Sequence, residues 1–395
     1  MTFREIESGI FWIGSIDWDR RLFDSLIPLP QGTSYNAYLV KGSEKTALID
    51  TVDPTKEYEL VQNLVRIGVD GIDYIIVNHA EQDHSGALPM ILELFPGARV
   101  VTNEKCRDLL VALLDIDGDR VDVIQDNDTL SLGDKTLQFL ITPWVHWPET
   151  MLTYVQESKV LFSCDLFGSH IATSDLFVSD ERIVYSPSKR YYAEIMMPFR
   201  SSIKGHMEKL DKLPIGIVAP SHGPLYATPD PIFYAYRDWI SDDVKNEVVI
   251  PYVSMHGSTE KMVNLLTEAL IAKGVGVAPY NLTVTDTGEL AMALVDAATV
   301  VIATPTVLFG PHPQAVCATY LVNLLRPKMR FASVIGSYGW GGKTVETLKG
   351  MLSSVKPELL EPVYIRGAPG AETVREIERL AEDIAKKHRE IGILD

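Results

Sequence analysis

Residues 77–86 read Val-Asn-His-Ala-Glu-Gln-Asp-His-Ser-Gly, so four metal-capable side chains, His79, Glu81, Asp83 and His84, fall within six positions. They directly follow Tyr74-Ile75-Ile76-Val77, an apolar run that predicts a buried strand. They lead into a segment from Ser85 to about Leu94 that predicts a helix. Ligands and chemistry collect at such strand-to-helix loops. Two histidines interleaved with two carboxylates cost repulsion and desolvation unless a cation sits among them. A metal site is therefore the first thing this chain must be able to build.

Three further candidates share one placement. His146 lies just after the strand Thr136–Leu140, Asp165 ends the strand Val160–Cys164, and His222 ends the strand Ile215–Ala219. Each alone reads as an ordinary polar residue at a strand end, but convergence of strand ends is how sheets build sites. Four histidines and three carboxylates exceed one tetrahedral ion and suit two metals with a bridging carboxylate. Mixed imidazole and carboxylate donors with open positions suit iron that activates oxygen or a similar small oxidant, although zinc also accepts them.

The elements around these residues predict two domains, 1–246 and 247–395. In the first, short strands and turns lead into a helix over 54–67, then alternating strands and helices, a polar and aromatic excursion over 167–189, and a helix over about 191–210. Two runs of strands with helices between them predict two layers of sheet. The charged stretch Ser241–Glu247 marks the boundary. Beyond it five apolar strands alternate with helices, which predicts a parallel, doubly wound five-stranded sheet.

Three loops of the second domain fall at the ends of its first, third and fourth strands. They are Ser254-Met255-His256-Gly257-Ser258-Thr259, then Pro305-Thr306-Val307-Leu308-Phe309-Gly310, then Ser337-Tyr338-Gly339-Trp340-Gly341-Gly342. Small and hydroxyl residues at a helix N-terminus form an anion site, and glycines let the backbone approach a flat ring that Tyr338 or Trp340 can flank. This trio predicts a flavodoxin-like FMN site. A dinucleotide is disfavoured because no G-x-G-x-x-G follows the first strand.

Composition narrows the partners. The 395 residues carry a formal net charge of -17, which argues against nucleic acid or an anionic membrane surface. No apolar run approaches the ~20 residues of a membrane span. Cys106, Cys164 and Cys317 form no C-x-x-C, which argues against a disulfide framework, an iron–sulfur cluster or a rubredoxin-type site. With no basic-then-apolar leader pattern, a cytoplasmic location is the expectation.

The string H-x-E-x-D-H, with His146-Trp147-Pro148, Ser163-Cys164-Asp165 and Pro220-Ser221-His222-Gly223, resembles the flavodiiron proteins (A-type flavoproteins). Hydrolases of the metallo-β-lactamase fold usually have histidine where Glu81 stands. The resemblance covers essentially the whole chain. It implies a metallo-β-lactamase-like αββα sandwich followed by a flavodoxin-like domain. It further implies that His79, Glu81 and His146 bind one iron, Asp83, His84 and His222 the other, and Asp165 bridges them. The adjacency of Asp83 and His84 makes His84 the ligand least assured. The implied activity is reduction of O2 to water or of NO to N2O at a diiron centre fed by FMN. Electrons would come from a separate donor, a rubredoxin-like protein or a reduced deazaflavin. A head-to-tail homodimer or dimer of dimers is implied as well. The sequence departs from the family pattern at Asp24, where a histidine is frequent, at His256, where an aromatic is usual, and at Leu308 and Phe309, where two asparagines are common. The competing reading is a zinc-dependent hydrolase with an accessory flavodoxin domain.

Overall fold

Along Tyr38–Lys41, Thr46–Ile49 and Tyr74–Ile76, successive side chains point to opposite faces of a sheet. Tyr38, Val40, Ala47, Ile49 and Ile76 join one core, while Leu39, Leu48 and Ile75 join another. A sheet buried on both faces is the result. In this computed structural model, which describes residues 3–395, that sheet has seven strands. Their order is Arg4–Glu7, Ile10–Trp12, Tyr38–Lys41, Thr46–Ile49, Tyr74–Ile76, Arg99–Thr102 and Val121–Val123.

A second sheet holds Thr129–Ser131, Thr136–Ile141, Met151–Val155, Val160–Cys164 and Ile217–Pro220 in that order. Phe139, Met151, Val160 and Phe162 from this sheet share a core with Trp12, Tyr38 and Val101 of the first. The opposite face of the seven-stranded sheet packs on the helices Glu57–Ile67, Leu88–Leu94 and Glu104–Leu114 through Leu60, Leu64, Ile91 and Leu110. Asn78 joins the two sheets. Its backbone N–H and side-chain amide donate to Asp50 (2.7 and 2.8 Å), its side-chain oxygen accepts from Thr153, and its carbonyl accepts from the Met151 N–H. Where strands feed the metal-capable residues the pairing is parallel. Thr46–Ile49 runs beside Tyr74–Ile76, and Val160–Cys164 beside Ile217–Pro220, so their carboxyl ends open the same way within each sheet.

The chain divides into two compact units. One takes the residues up to Tyr192 with Phe199–Ile240, and the other takes Ala193–Pro198 with Ser241–Asp395. The second is built on a parallel sheet in the order Gly276–Asn281, Lys245–Tyr252, Ala297–Ala303, Phe331–Tyr338, with Val363–Arg366 pairing beyond the last. The helices Ser258–Ile271 and Ala371–Glu390 close one face through Met262, Leu266, Ile377 and Leu380. Among the described residues no helix is long and apolar enough to cross a membrane.

Three local expectations change. The helix expected from Ser85 is split into Gln82–Ser85 and Leu88–Leu94, because Pro89 cannot donate a backbone bond and fits only in a first helical turn. Asp83 and His84 therefore sit on a helical turn, not on an open loop. The excursion over 167–189 ends in a helix, Glu181–Tyr191, capped by Asp180, whose carboxylate accepts the Arg182 N–H. Pro187 lies inside that helix, which obscured it in the sequence. The long helix expected over 191–210 is instead a wide turn over Tyr192–Met196, a tight turn over Met197–Phe199, and a helix only from Arg200 to Leu210, with Pro198 at the break.

Candidate metal and flavin sites

The strand ends bring all seven metal-capable residues into two adjoining clusters. In one, Glu81 Oε2 lies 3.1 Å from His79 Nε2 and 3.0 Å from His146 Nε2. Asp165 Oδ2 faces the same two nitrogens at 3.6 and 3.5 Å. In the other, His222 Nε2 is 3.1 Å from Asp83 Oδ2, and His84 Nε2 is 3.3 Å from Asp83 Oδ1. Asp165 Oδ1 faces His84 at 3.0 Å and His222 at 3.5 Å. Asp165 thus turns one oxygen to each cluster. His84 is not left out: the helical turn over 82–85 lets adjacent Asp83 and His84 reach the same cluster.

The polar atoms fit cations better than they fit each other. Both carboxylate oxygens of Asp83 and of Asp165, and both ring nitrogens of His84, are buried and have no partner in hydrogen-bond geometry, although several lie within ion-pair distance. Buried polar atoms of this kind are otherwise paired. Two imidazoles are fixed from behind: His79 Nδ1–H donates to Glu149 Oε1 at 2.7 Å, and His222 Nδ1–H to the Ser34 carbonyl at 2.7 Å. Each bond turns Nε2 toward the cluster, where its lone pair would serve a bound metal, the arrangement typical of metal-binding histidine. Glu149 also accepts the Ala80 N–H.

The electrostatics match. Burial opposes a charged His79, but hydrogen bonds to Glu149 and Glu81 outweigh it and raise its pKa to about 10. Burial is likewise overcome by Asp83 and Asp165 at His84, raised to about 9, and by Asp165 and Glu81 at His146, raised to about 10. Asp165 is held well below the carboxylate range, because the surrounding histidines, His84 foremost, outweigh its burial. Left-handed residues end two of the feeding strands, Asp50 (φ 54°) and Cys164 (φ 48°), as is common where backbone is bent toward a site.

A cavity of about 520 Å³ opens over Glu81 and Asp83, lined also by Arg20, Asp24, Asp53 and Trp147. Asp24 is pushed up to about 6 by burial and then by the charges of Glu81 and Asp83. The ring of Trp147 stands edge-on to His79 with centroids 5.0 Å apart.

Sequence reasoning missed several neighbours. Glu149 directly follows His146-Trp147-Pro148, and the sequence reading gave it no role. His170 is buried against His222, with centroids 4.8 Å apart, and burial together with the His222 charge keeps it neutral. Cys164 Sγ lies within 4.8 Å of ligand atoms of His84 and Asp165, and burial pushes its thiol up, so it stays protonated. Only Glu149 carried a sequence signal, being a carboxylate three residues after His146.

In the second unit, the three flavin-loop candidates occupy the carboxyl ends of neighbouring parallel strands. Gly257 (φ 81°) precedes the helix Ser258–Ile271 and offers no side-chain cap, so the N–H groups of Ser258 and Thr259 stay available to an anion. Thr259 Oγ1 is buried there without a partner, and Ser254 Oγ accepts the Glu260 N–H. The middle loop is a hairpin, Thr306–Val307 against Gly310–Pro311, and its two tip residues, Leu308 (φ 47°) and Phe309 (φ 69°), are both left-handed. The Phe309 carbonyl accepts the Lys343 N–H, which ties this tip to the aromatic-glycine loop. Met255, Leu308, Phe309 and Trp340 expose large apolar surface, whereas Ser337 is buried. These atoms fit a ring-bearing phosphate ligand.

Comparison with known proteins agrees. The "ODP family beta lactamase" model matches residues 33–223. The chain is 36% identical to a nitric oxide reductase of Moorella thermoacetica over 394 residues, covering 97% of this chain and 98% of that protein. Among solved structures, the rubredoxin oxygen:oxidoreductase of Desulfovibrio gigas superposes with a TM-score of 0.94 at 29% identity, covering 98% of this chain and 99% of that one. The flavodiiron protein of Giardia intestinalis gives 0.93 at 26% identity, covering 99% and 97%. Taken with the paired clusters and the flavin-type loops, these likenesses mean that the chain belongs to the flavodiiron protein family.

Proposed function

We propose that this chain is an oxidoreductase that scavenges O2, reducing it to water, or NO, reducing it to N2O, with FMN and a non-haem diiron centre as its cofactors. The observation that carries the reading is Asp165, which turns one unpartnered buried oxygen to each of two histidine-carboxylate clusters. The irons, when bound, supply the redox chemistry on the gas, and the flavin supplies their electrons.

The chain's own residues do the rest. His79, Glu81 and His146 hold one ion, Asp83, His84 and His222 the other, and Asp165 spans both. Glu149 and the Ser34 carbonyl orient the imidazoles. Trp147 shields His79 on one side. Asp24 lines the cavity that opens over Glu81 and Asp83. In the second domain, the helix start at Gly257–Thr259 binds the phosphate, and the loops over 305–310 and 337–342 bind the ring. We assign residues 1–246 to the diiron domain and 247–395 to the FMN domain. The donor is a separate reduced carrier, a rubredoxin-like protein or a deazaflavin. A head-to-tail homodimer in the cytoplasm completes the reading.

The hydrolase alternative is not favoured, since Glu81 occupies the position between His79 and His146. The test is purification followed by elemental analysis, a flavin spectrum and turnover of O2 and NO side by side with one defined donor. Two irons and one FMN per chain with sustained gas consumption is the expected result. Two zincs with thioesterase activity and no gas turnover would overturn it.

A further inference from the structure

We infer that the helix Arg200–Leu210 is a clamp that holds His146 in ligand position, with His206 as its positioning residue. The inference rests on the two-metal reading of the site and adds a second element to it. His146 is the most exposed of the seven candidate ligands, its side chain 17% exposed, whereas His79, His84, Asp165 and His222 are almost wholly buried. Among the described residues no hydrogen bond reaches its Nδ1, unlike those of His79 and His222. Something other than a partner on the ring must therefore fix where this ligand points.

The loop that carries it is tied down on two sides. From within, Thr150 Oγ1 donates to the Thr142 carbonyl and accepts the Val145 N–H, and the Trp144 N–H donates to the Trp147 carbonyl. From outside, one helix touches the loop in three places. Phe199, at its N-terminal end, stacks on Trp144 with centroids 6.2 Å apart and planes 15° from parallel. His206 Nε2–H donates to the Pro143 carbonyl at 3.0 Å. Lys209 Nζ donates to the Ile141 carbonyl at 3.3 Å and pairs with Asp126, which itself accepts the Ile141 N–H. His206 is buried with its Nδ1 unpartnered, so the imidazole is kept there for the single bond that its other nitrogen makes. Trp144, a bulky residue in the left-handed region (φ 67°), persists in that conformation only where its surroundings over-determine it. Clamped in this way, the loop presents His146 to Glu81 and Asp165 at fixed distance. Released, it would let one ligand of one ion swing out while the other cluster stays intact.

The test compares His206→Phe, which keeps the ring's volume but not its donor, with His206→Gln, which keeps a donor. Purified full-length protein is loaded with ferrous iron, and release of each ion to a ferrous chelator is timed. We expect His206→Phe to release one of its two ions at least roughly tenfold faster, the usual scale for losing an outer partner of a ligand, with His206→Gln close to the parent. Amide exchange at Trp144 and Val145 of metal-free protein should accelerate in the same order. Unchanged release from His206→Phe, equal acceleration of both ions, or identical behaviour of the two variants would each overturn the clamp. Should His206→Phe not fold, Lys209→Met carries the same comparison. A parent protein that holds no pair of ions would instead sink the two-metal reading, and the amide exchange would still decide whether the clamp exists.

Discussion

The two halves of this molecule prepare for their cofactors in opposite ways. In the first unit the ligand atoms are buried, mutually facing and propped from behind by Glu149 and the Ser34 carbonyl. In the second, the loops expected to meet FMN are open, and the hairpin tip is bulky and largely bare, with Leu308 86% and Phe309 68% exposed. Small ions offer no shape to fold around, so the protein must fix donor positions beforehand. A flavin is itself a large flat surface, and the loops can leave apolar area for its ring to cover. The contrast between a site completed in advance and a site completed by its ligand can be broken or sharpened by experiment.

The largest effect belongs to Asp165. Asp165→Ala removes the only carboxylate among the described residues that faces both clusters. It should weaken each ion by more than the ~100-fold that even an outer-shell change can cost. Metal analysis of the purified variant checks this, and two tightly held ions would contradict the shared role. Flavin content should not change.

The next effect is one of pH, with opposite sign in the two units of cofactor-free protein. His79, His84 and His146 have folded pKa values raised to about 10, 9 and 10, so their contribution is present below about 6.5 and is lost as pH rises through 9–10. In the second unit, burial lowers His388 to about 4, while its ring bonds Asn246 and Thr299. Its contribution is present above about 6.5 and is lost as pH falls toward 4. Calorimetry across pH should show the first unit weakening in alkali and the second in acid. His388→Gln should flatten the acid limb, and an unaltered limb would remove His388 as its cause.

Glu149→Gln comes third. It keeps the shape but weakens the bond that orients His79, and should cost 10–100-fold in affinity for the ion at His79, read by competition with a chelator. An equal loss of both ions would show that Glu149 supports the fold more than this ligand.

The smallest effect is at the hairpin tip. A two-residue tip with both residues left-handed favours Asn-Gly, and Leu-Phe there carries strain. Leu308→Asn with Phe309→Gly should stabilise flavin-free protein by about 1–2 kcal/mol in denaturant titration while weakening FMN binding. Unaltered FMN affinity would show that the apolar tip does not serve the ring.

How much of this was legible differs by region for the same physical reason. The ligands could be read because each follows an apolar strand, and apolar runs are visible in sequence. His170 could not, because its partners, Thr33, Tyr191 and His222, all lie far from it in the chain and leave no local pattern. The helix Glu181–Tyr191 was hidden by Pro187 and by polar residues on its open face. The helical turn that brings Asp83 and His84 to one cluster follows from a break at Pro89, which the apolar pattern of 85–94 had run across. In the flavin half, Leu308 and Phe309 give no sign of left-handed backbone, since nothing in their side chains favours it.

The cross-sheet bonding of Asn78 sets a ruler. His79 hangs from one sheet, while Asp165 and His222 hang from the other, and Asn78 is bonded to both sheets in the residue before His79. Neither sheet can slide without tearing buried bonds that water cannot replace. The gap between donors is thus gauged by the scaffold, and ions of other radius must adapt to it or be held less tightly.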